Sequence, residues 1–422
     1  VKKIFQLFCI IILLISCLSC EKKEVPTVKT VKAIFNDNEI SIEATGKIVS
    51  YGGADVLSYG ICMNQSNNPT IADTKVEYNG VGVSSFTGKF SDLEINATYY
   101  VRAYAVNSEG TGYGEVLEIK TSIKALVTTK EASAVGLDSA TLNGSVNPNN
   151  LLSEVWIEYG ETTSYGSKVI IANFNGSAEI PVKVKLTSLA AGKVYYFVVK
   201  VKNELGEISG SQMSFETYGL KDIDGNLYHT VVINGRVWTK ENLKTTHFND
   251  GTSILNKTAN ADWSAVTGTA EPAYCYYDNN EANKNVFGVL YNWYAASNQN
   301  IAPVGWHVPT ADELEELIFY LGGQYVAGGK MKTTGTSIWE SPNTDATNSS
   351  GFSAIPAGVR GDRLDNQLGA FGDLYTDAAF WSCSEYNSSG RFMFVSYNTA
   401  FVQTRMLVSK SYGHSLRLIK DQ

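Results

Sequence analysis

The chain has 422 residues, room for about three domains at roughly 150 residues each. Hydrophobic residues reach 44% and charged residues only 18%, which excludes a disordered, charge-rich chain. The net charge of −8 excludes a broad nucleic-acid binder, and four His and six Cys speak against a large metal centre.

Val1-Lys2-Lys3 precedes an apolar run from Ile4 to Ile15 that one Gln interrupts. Two cations ahead of about a dozen apolar residues is the layout of a secretory signal, shorter than the ~20 residues of a spanning helix. The run closes Leu14-Ile15-Ser16-Cys17-Leu18-Ser19-Cys20, followed by Glu21-Lys22-Lys23-Glu24. This resembles the lipobox of bacterial lipoproteins, in which the Cys thiol is lipidated and heads the mature chain. Cys17 fits the box best. Cys20 is the alternative, because charged residues directly after the lipid Cys resemble the surface-export signal of Bacteroidetes-type lipoproteins. Residues 1–20 are expected as the signal peptide, and 21–30, polar with Pro26, as a tether. The resemblance implies an outer-membrane location, lipid-anchored and exposed at the cell surface, with the membrane touched through the anchor alone.

An internal repeat follows. At an offset of 96, Leu93 matches Leu189, Tyr99-Tyr100 match Tyr195-Tyr196, Asn107 matches Asn203, Gly110 matches Gly206, and Thr121 matches Thr217. That period suits one β-sandwich per repeat better than a solenoid. Strand alternation from Tyr99 puts Tyr99, Val101, Ala103 and Ala105 toward a core and Tyr100, Arg102 and Tyr104 outward. Asn107 to Gly112 and Asn203 to Gly206 read as hairpin turns. Leu, then Tyr six residues on, then an alternating strand resembles fibronectin type III domains, over about 28–122 and 125–217. The resemblance implies that each of these Tyr residues packs its ring inside and caps upstream backbone with its hydroxyl. These two units are read as spacers, and Cys62 as a small buried apolar residue.

From Leu220 the texture changes. Asp222-Ile223-Asp224-Gly225-Asn226 reads as a turn; it opens like a calcium loop but lacks the later Glu at fixed spacing. Leu227 to Ile233 alternates like a strand, and Asn234-Gly235 is a hairpin signal leading to Arg236-Val237-Trp238. Gly288 to Ala296 reads as a short buried helix. Thr310 with Glu313 forms a capping box ahead of Leu314, Leu317, Ile318 and Leu321, one apolar helix face that ends at Gly322-Gly323. Short strands in Gly-, Ser- and Asn-rich loops complete the chain.

Several stretches together resemble the Fibrobacter succinogenes major paralogous domain. They are Thr239-Lys240-Glu241-Asn242-Leu243, Ala273-Tyr274-Cys275-Tyr276-Tyr277, Leu290-Tyr291-Asn292-Trp293-Tyr294, Gly305-Trp306-His307-Val308-Pro309-Thr310, Ala327-Gly328-Gly329-Lys330, Thr347-Asn348-Ser349-Ser350-Gly351-Phe352, and Gly413 to Lys420. The match spans nearly all of 219–422. The Thr310-capped helix and the final Gly413-x-Ser415-x-Arg417 resemble the wider formylglycine-generating-enzyme and C-type-lectin-like superfamily. The expected fold class is therefore multidomain. Two all-β immunoglobulin-like (fibronectin type III) sandwiches precede an α+β C-type-lectin-like domain with two short helices and irregular β-structure. The family pattern has a Cys where this chain has Leu418, so a Cys275–Cys383 bond and two free buried thiols both remain open.

Catalytic signatures are absent: there is no His-Glu-x-x-His, Gly-x-Ser-x-Gly or Cys-x-x-Cys. Cys383 lacks the closely spaced partner that formylglycine chemistry needs, and His307, between Trp306 and Val308, is read as packing. No enzyme activity and no cofactor are expected, and calcium finds no support. The chain instead reads as a binder. Sugar recognition uses aromatic faces together with amide, carboxylate and guanidinium groups. The ligand-binding candidates are Trp339, Asn343, Asn348, Arg360, Trp381, Glu385, Tyr386 and Arg391. The expected ligand is a glycan or polysaccharide; the alternative is a structural envelope or adhesin-tip component whose partners are surface proteins.

Overall fold

The computed structural model describes residues 22–80, 84–361 and 369–422. The anchor candidates Cys17 and Cys20 lie outside the described residues. No described helix is long and apolar enough to cross a membrane.

The repeat has a matching topology in both copies. In the first, Ser41–Ser50 pairs with Thr27–Asn36 on one side and Phe86–Phe90 on the other. The facing sheet runs Thr74–Asn79, Ser58–Asn64, Thr98–Asn107, Gly110–Tyr113, with Leu117–Lys120 also on Thr98–Asn107. In the second, Ala140–Asn147 sits between Leu126–Ser133 and Ile180–Leu186. Its facing sheet runs Ser167–Phe174, Ser153–Gly160, Val194–Asn203, Gly206–Ser209, with Met213–Glu216 on Val194–Asn203. Each copy encloses its own core, one around Ile42, Ile61 and Val101, the other around Leu142, Ile157 and Phe197.

Hydrogen bonds repeat with the sequence. The Tyr99 hydroxyl accepts from the backbone N–H of Glu94 at 3.0 Å, and Tyr195 from that of Ala190 at 2.9 Å. Both rings are buried. Thr121 and Thr217 each donate to two carbonyls at the same corner, Glu94 and Ala97 in one copy, Ala190 and Lys193 in the other. Asn107–Gly110 and Asn203–Gly206 close their hairpins with each Gly at positive φ (134° and 113°), where a side chain would be strained.

One expectation fails here. Tyr99, Val101, Ala103 and Ala105 face the core, but Tyr104 is buried as well and donates to Glu77 Oε2 at 2.9 Å. The outer face of its sheet is covered: Arg102 lies 3.9 Å from the Tyr113 ring centroid and donates to the Pro69 carbonyl, to which the Cys62 thiol is also bonded.

The C-terminal domain is built on a five-stranded sheet in the order Ala370–Leu374, Ala357–Gly361, Asp377–Tyr386, Ser389–Ser396, Val402–Ser409. Its central strand is buried on both faces. Ala378 and Phe380 point into a core with Leu314, Leu317, Trp238 and Trp339, while Ala379 and Trp381 point into a second with Tyr291, Trp293 and Leu416. Four consecutive apolar residues are what two-sided burial requires. A second sheet orders Thr230–Ile233, Arg236–Thr239, Ile419–Lys420 and Trp306–His307, so the last strand closes against the Thr230–Thr239 hairpin near the start of the domain. Asn234 and Gly235 both take positive φ (50° and 74°), as the hairpin turn demands.

Where two short helices are expected, the described residues of this domain hold five α-helices, Asn283–Phe287 and Ala327–Met331 among them. Ala311–Tyr320 is capped as read, with Thr310 Oγ1 accepting from Glu313 N and the Glu313 side chain returning to Thr310 N. The stretch 288–296 is helical only over Trp293–Ala296, because Leu290–Tyr291 pairs with Ala273–Cys275 and the buried Asn292 caps the turn. A further helix, Asn260–Thr269, buries Trp263 and Val266 without an apolar stripe that would announce it.

Candidate functional site

The short strand Trp306–His307 lies on Ile419–Lys420, and Asp421 N donates to Gly305 O at 2.9 Å. This pairing sets the Asp421 carboxylate 2.6 Å from His307 Nδ1. The other ring nitrogen, Nε2, faces both oxygens of Glu313 at 3.0 and 3.1 Å. Glu313 also accepts from Thr310 N at 2.9 Å and from Arg236 at 2.5 Å. Burial alone would raise its pKa; the Thr310, His307 and Arg236 hydrogen bonds outweigh that and hold it below the usual carboxylate range. His307 is therefore a half-buried bridge between the chain end and the capped helix, not a packed ring.

Beside it opens a cleft of about 550 Å³, lined by Trp306, His307, Asp421, Ser297, Asn298 and Gln299 among others. Five of the six tryptophans after residue 218 are buried; Trp306 alone of them is only half-buried. Asn298 Oδ1 accepts from Asn300 N at 2.9 Å, which starts the turn Gln299–Ile301 and leaves the amide nitrogen without a partner among the described residues. Cys383 borders the cleft. Burial, then the Glu313 charge, push its pKa up, so at neutral pH it is a thiol and a poor nucleophile.

Most residues singled out from the sequence sit elsewhere. Trp339 and Trp381 are 1% and 0% exposed, which removes both from any ligand surface. Trp339 Nε1 donates to Thr333 Oγ1 and Ala354 O, and Trp381 Nε1 to Tyr291 O at 2.8 Å. Arg360 is likewise buried and donates to the carbonyls of Gly369, Lys257 and Thr258 and to Asn260 Oδ1, between the rings of Trp263 and Phe371. Asn343 and Asn348 are loop ties at positive φ: Asn343 donates to Thr333 O and Gly335 O, and Asn348 exchanges bonds with Ser353. Glu385, Tyr386 and Arg391 do reach the surface, around the hairpin that joins Asp377–Tyr386 to Ser389–Ser396.

The motif residues are chiefly architectural. Arg417, fully buried, donates to Asn242 Oδ1 and to the carbonyls of Thr239, Phe352 and Ser353. Asn242 in turn bonds Ser415 Oγ and Phe287 O. Lys332 is buried with Nζ donating to the carbonyls of Thr344, Thr399 and Ser396 at 2.9, 2.9 and 3.0 Å. Burial pulls it down to about 8, and the Asp345 charge opposes this. Asp222 is occupied by Asn226 and Tyr228, which accounts for the calcium-like turn without a metal. Among the described residues no set of three His, Cys, Asp or Glu could hold a metal ion. Cys275 and Cys383 are unbonded; Cys275 lies buried near Arg360, its thiol pushed up to about 12 by burial.

Residues 231–420 match the family model of the Fibrobacter succinogenes major domain. The match covers the C-terminal domain and leaves both sandwiches outside it. No curated protein matches the chain. Among solved structures, the sensor domain of the anti-sigma factor RsgI4 in Pseudobacteroides cellulosolvens is 18% identical with a TM-score of 0.20, over 23% of this chain and 98% of that one. The FN1–FN3 domains of chicken CNTN1 are 15% identical with a TM-score of 0.21, over 46% of this chain and 69% of that one.

Proposed function

We propose that the chain is a cell-surface lipoprotein of the outer membrane whose two fibronectin type III-like sandwiches hold a C-type-lectin-like domain away from the lipid anchor, and that the cleft beside His307 binds a glycan. The observation that carries this reading is the cleft lining. Trp306 offers an aromatic wall, and Ser297, Asn298, Gln299 and Asp421 offer the hydroxyl, amide and carboxylate groups that sugar hydroxyls pair with. We read the site as binding without turnover; Cys383, held as a thiol, is a poor nucleophile there. Binding of the full chain to a broad polysaccharide panel tests this. Trp306→Ala and Asn298→Ala should each weaken the binding by about tenfold, a loss of one stacking face or one hydrogen-bonding group. A folded protein that binds nothing, or binds unchanged in both variants, overturns it. Acyl labelling that survives Cys17→Ser combined with Cys20→Ser overturns the anchor.

A second reading, attachment to a protein partner, is favoured by exposed aromatics at the end of the helix Ala311–Tyr320. Phe319 is 85% and Tyr325 75% exposed, the latter with its ring 5.3 Å from that of Phe401. A stoichiometric protein partner lost on Tyr325→Ser, with no glycan dependence, would favour this second reading.

A further inference from the structure

Arg391 is the described arginine left without an acceptor. Arg236 and Arg405 pair with Glu313 and Glu315, Arg360 and Arg417 donate to carbonyls, and Arg102 donates to Pro69 O. Arg391 has no carboxylate and no hydrogen-bond acceptor among the described residues, and its Nε is shielded from water with no partner. Its guanidinium lies 5.3 Å from the ring centroid of Tyr386, a side chain that is 51% exposed. A cation so placed is partly desolvated, which strengthens any ion pair it makes.

The neighbourhood is positive on an otherwise acidic chain. Ser389 pairs with Ser409, so Lys410 comes to the same end of the sheet as Arg391. Lys410 sits 4.1 Å from the Trp293 ring centroid and is paired with Glu385. Lys410 thus takes the carboxylate of Glu385, and Arg391 is left without one. An anion is what the array lacks, and a planar guanidinium prefers a planar, two-oxygen acceptor. The exposed Tyr386 ring supplies a stacking surface beside it.

We propose that Arg391 and Tyr386 form a subsite for the carboxylate of an acidic sugar. This rests on the glycan reading above and names the sugar class. The subsite lies close to the cleft along the chain: Cys383 borders the cleft two residues before Glu385, and Ala296 borders it three residues after Trp293.

The test uses the full chain with polygalacturonate, its fully methyl-esterified form, and polyglutamate as probes. The charged polysaccharide should bind at least about tenfold more tightly than the ester at low salt, and the preference should shrink as salt rises. Arg391→Gln should reduce the preference to within about twofold, and Tyr386→Ala should weaken polygalacturonate severalfold; both side chains reach the surface, and thermal melts check folding. Equal binding of acid and ester overturns the subsite while the glycan reading stands. A preference that survives Arg391→Gln overturns it too. Polyglutamate binding as tightly as polygalacturonate, through Arg391, overturns the assignment to a sugar. If no polysaccharide, neutral or acidic, binds at all, both readings fall.

Discussion

His414 shows how one side chain can set the acid limit of the whole domain. Its ring is buried, 4.4 Å from the Trp381 centroid and 4.6 Å from that of Phe392. Burial lowers its pKa from 6.5 to about 3, partly offset by the Gly413 backbone, so the folded state holds it neutral. The unfolded chain takes up a proton as pH falls through 6.5, and the folded chain does so only near 3. The unfolded state therefore binds more protons in that window, and stability falls as pH drops across it. The full effect is on the order of 5 kcal/mol, with the carboxylates adding their own loss below about pH 4.5. His414→Leu should flatten the slope of urea stability between pH 6.5 and 4.5. An unchanged slope would mean that another group carries the acid sensitivity.

At the scale of single elements, the tyrosine corners make the sharpest case. Tyr99→Phe and Tyr195→Phe each remove one hydroxyl that accepts from backbone, at 3.0 and 2.9 Å, while keeping the buried ring. Each should cost about 1 kcal/mol in denaturant melts, and the two should be alike because the surroundings repeat. A cost near zero in one repeat would show that its corner bond is replaced by water. These corners, the Asn-Gly hairpin and the Thr310 capping box were legible in the sequence because each is a local device with a fixed spacing. Trp381 was misread for a related reason: Ala378-Ala379-Phe380-Trp381 already spells a strand buried on both faces, but its richness in nearby Asn and Glu suggested a surface. The helix Asn260–Thr269 was not legible, since Ser, Thr, Ala and Gly surround its two buried residues. The cleft was legible only in part. Trp306-His307 stands in a motif, yet Asp421 arrives from 114 positions away through strand pairing, which no local pattern encodes.

For the whole molecule, the question is which parts unfold together. The first sandwich keeps its own core and meets the second through Asn96 Nδ2, which donates to Asn149 O. The second is stitched to the C-terminal domain. Lys240 Nζ reaches both Glu216 oxygens at 2.9 Å, and Tyr218, whose N donates to Gly136 O, stands with its ring 4.2 Å from that of His229. Thr230 fits against Gly192 of the second sandwich as well as against Gly219 at the junction; an added Cβ at either would collide with its side chain. A Lys–Glu ion pair near the surface contributes little by itself, so the close backbone fit should matter more than Lys240. Calorimetry of the full chain should accordingly resolve the first sandwich as its own transition, with the second sandwich and the C-terminal domain merged. Gly219→Val should split that merged transition, whereas Lys240→Ala should leave it whole. If the unmutated chain already melts with the second sandwich and the C-terminal domain as separate transitions, the two domains are independent bodies. The sandwiches would then orient the cleft no better than a flexible tether.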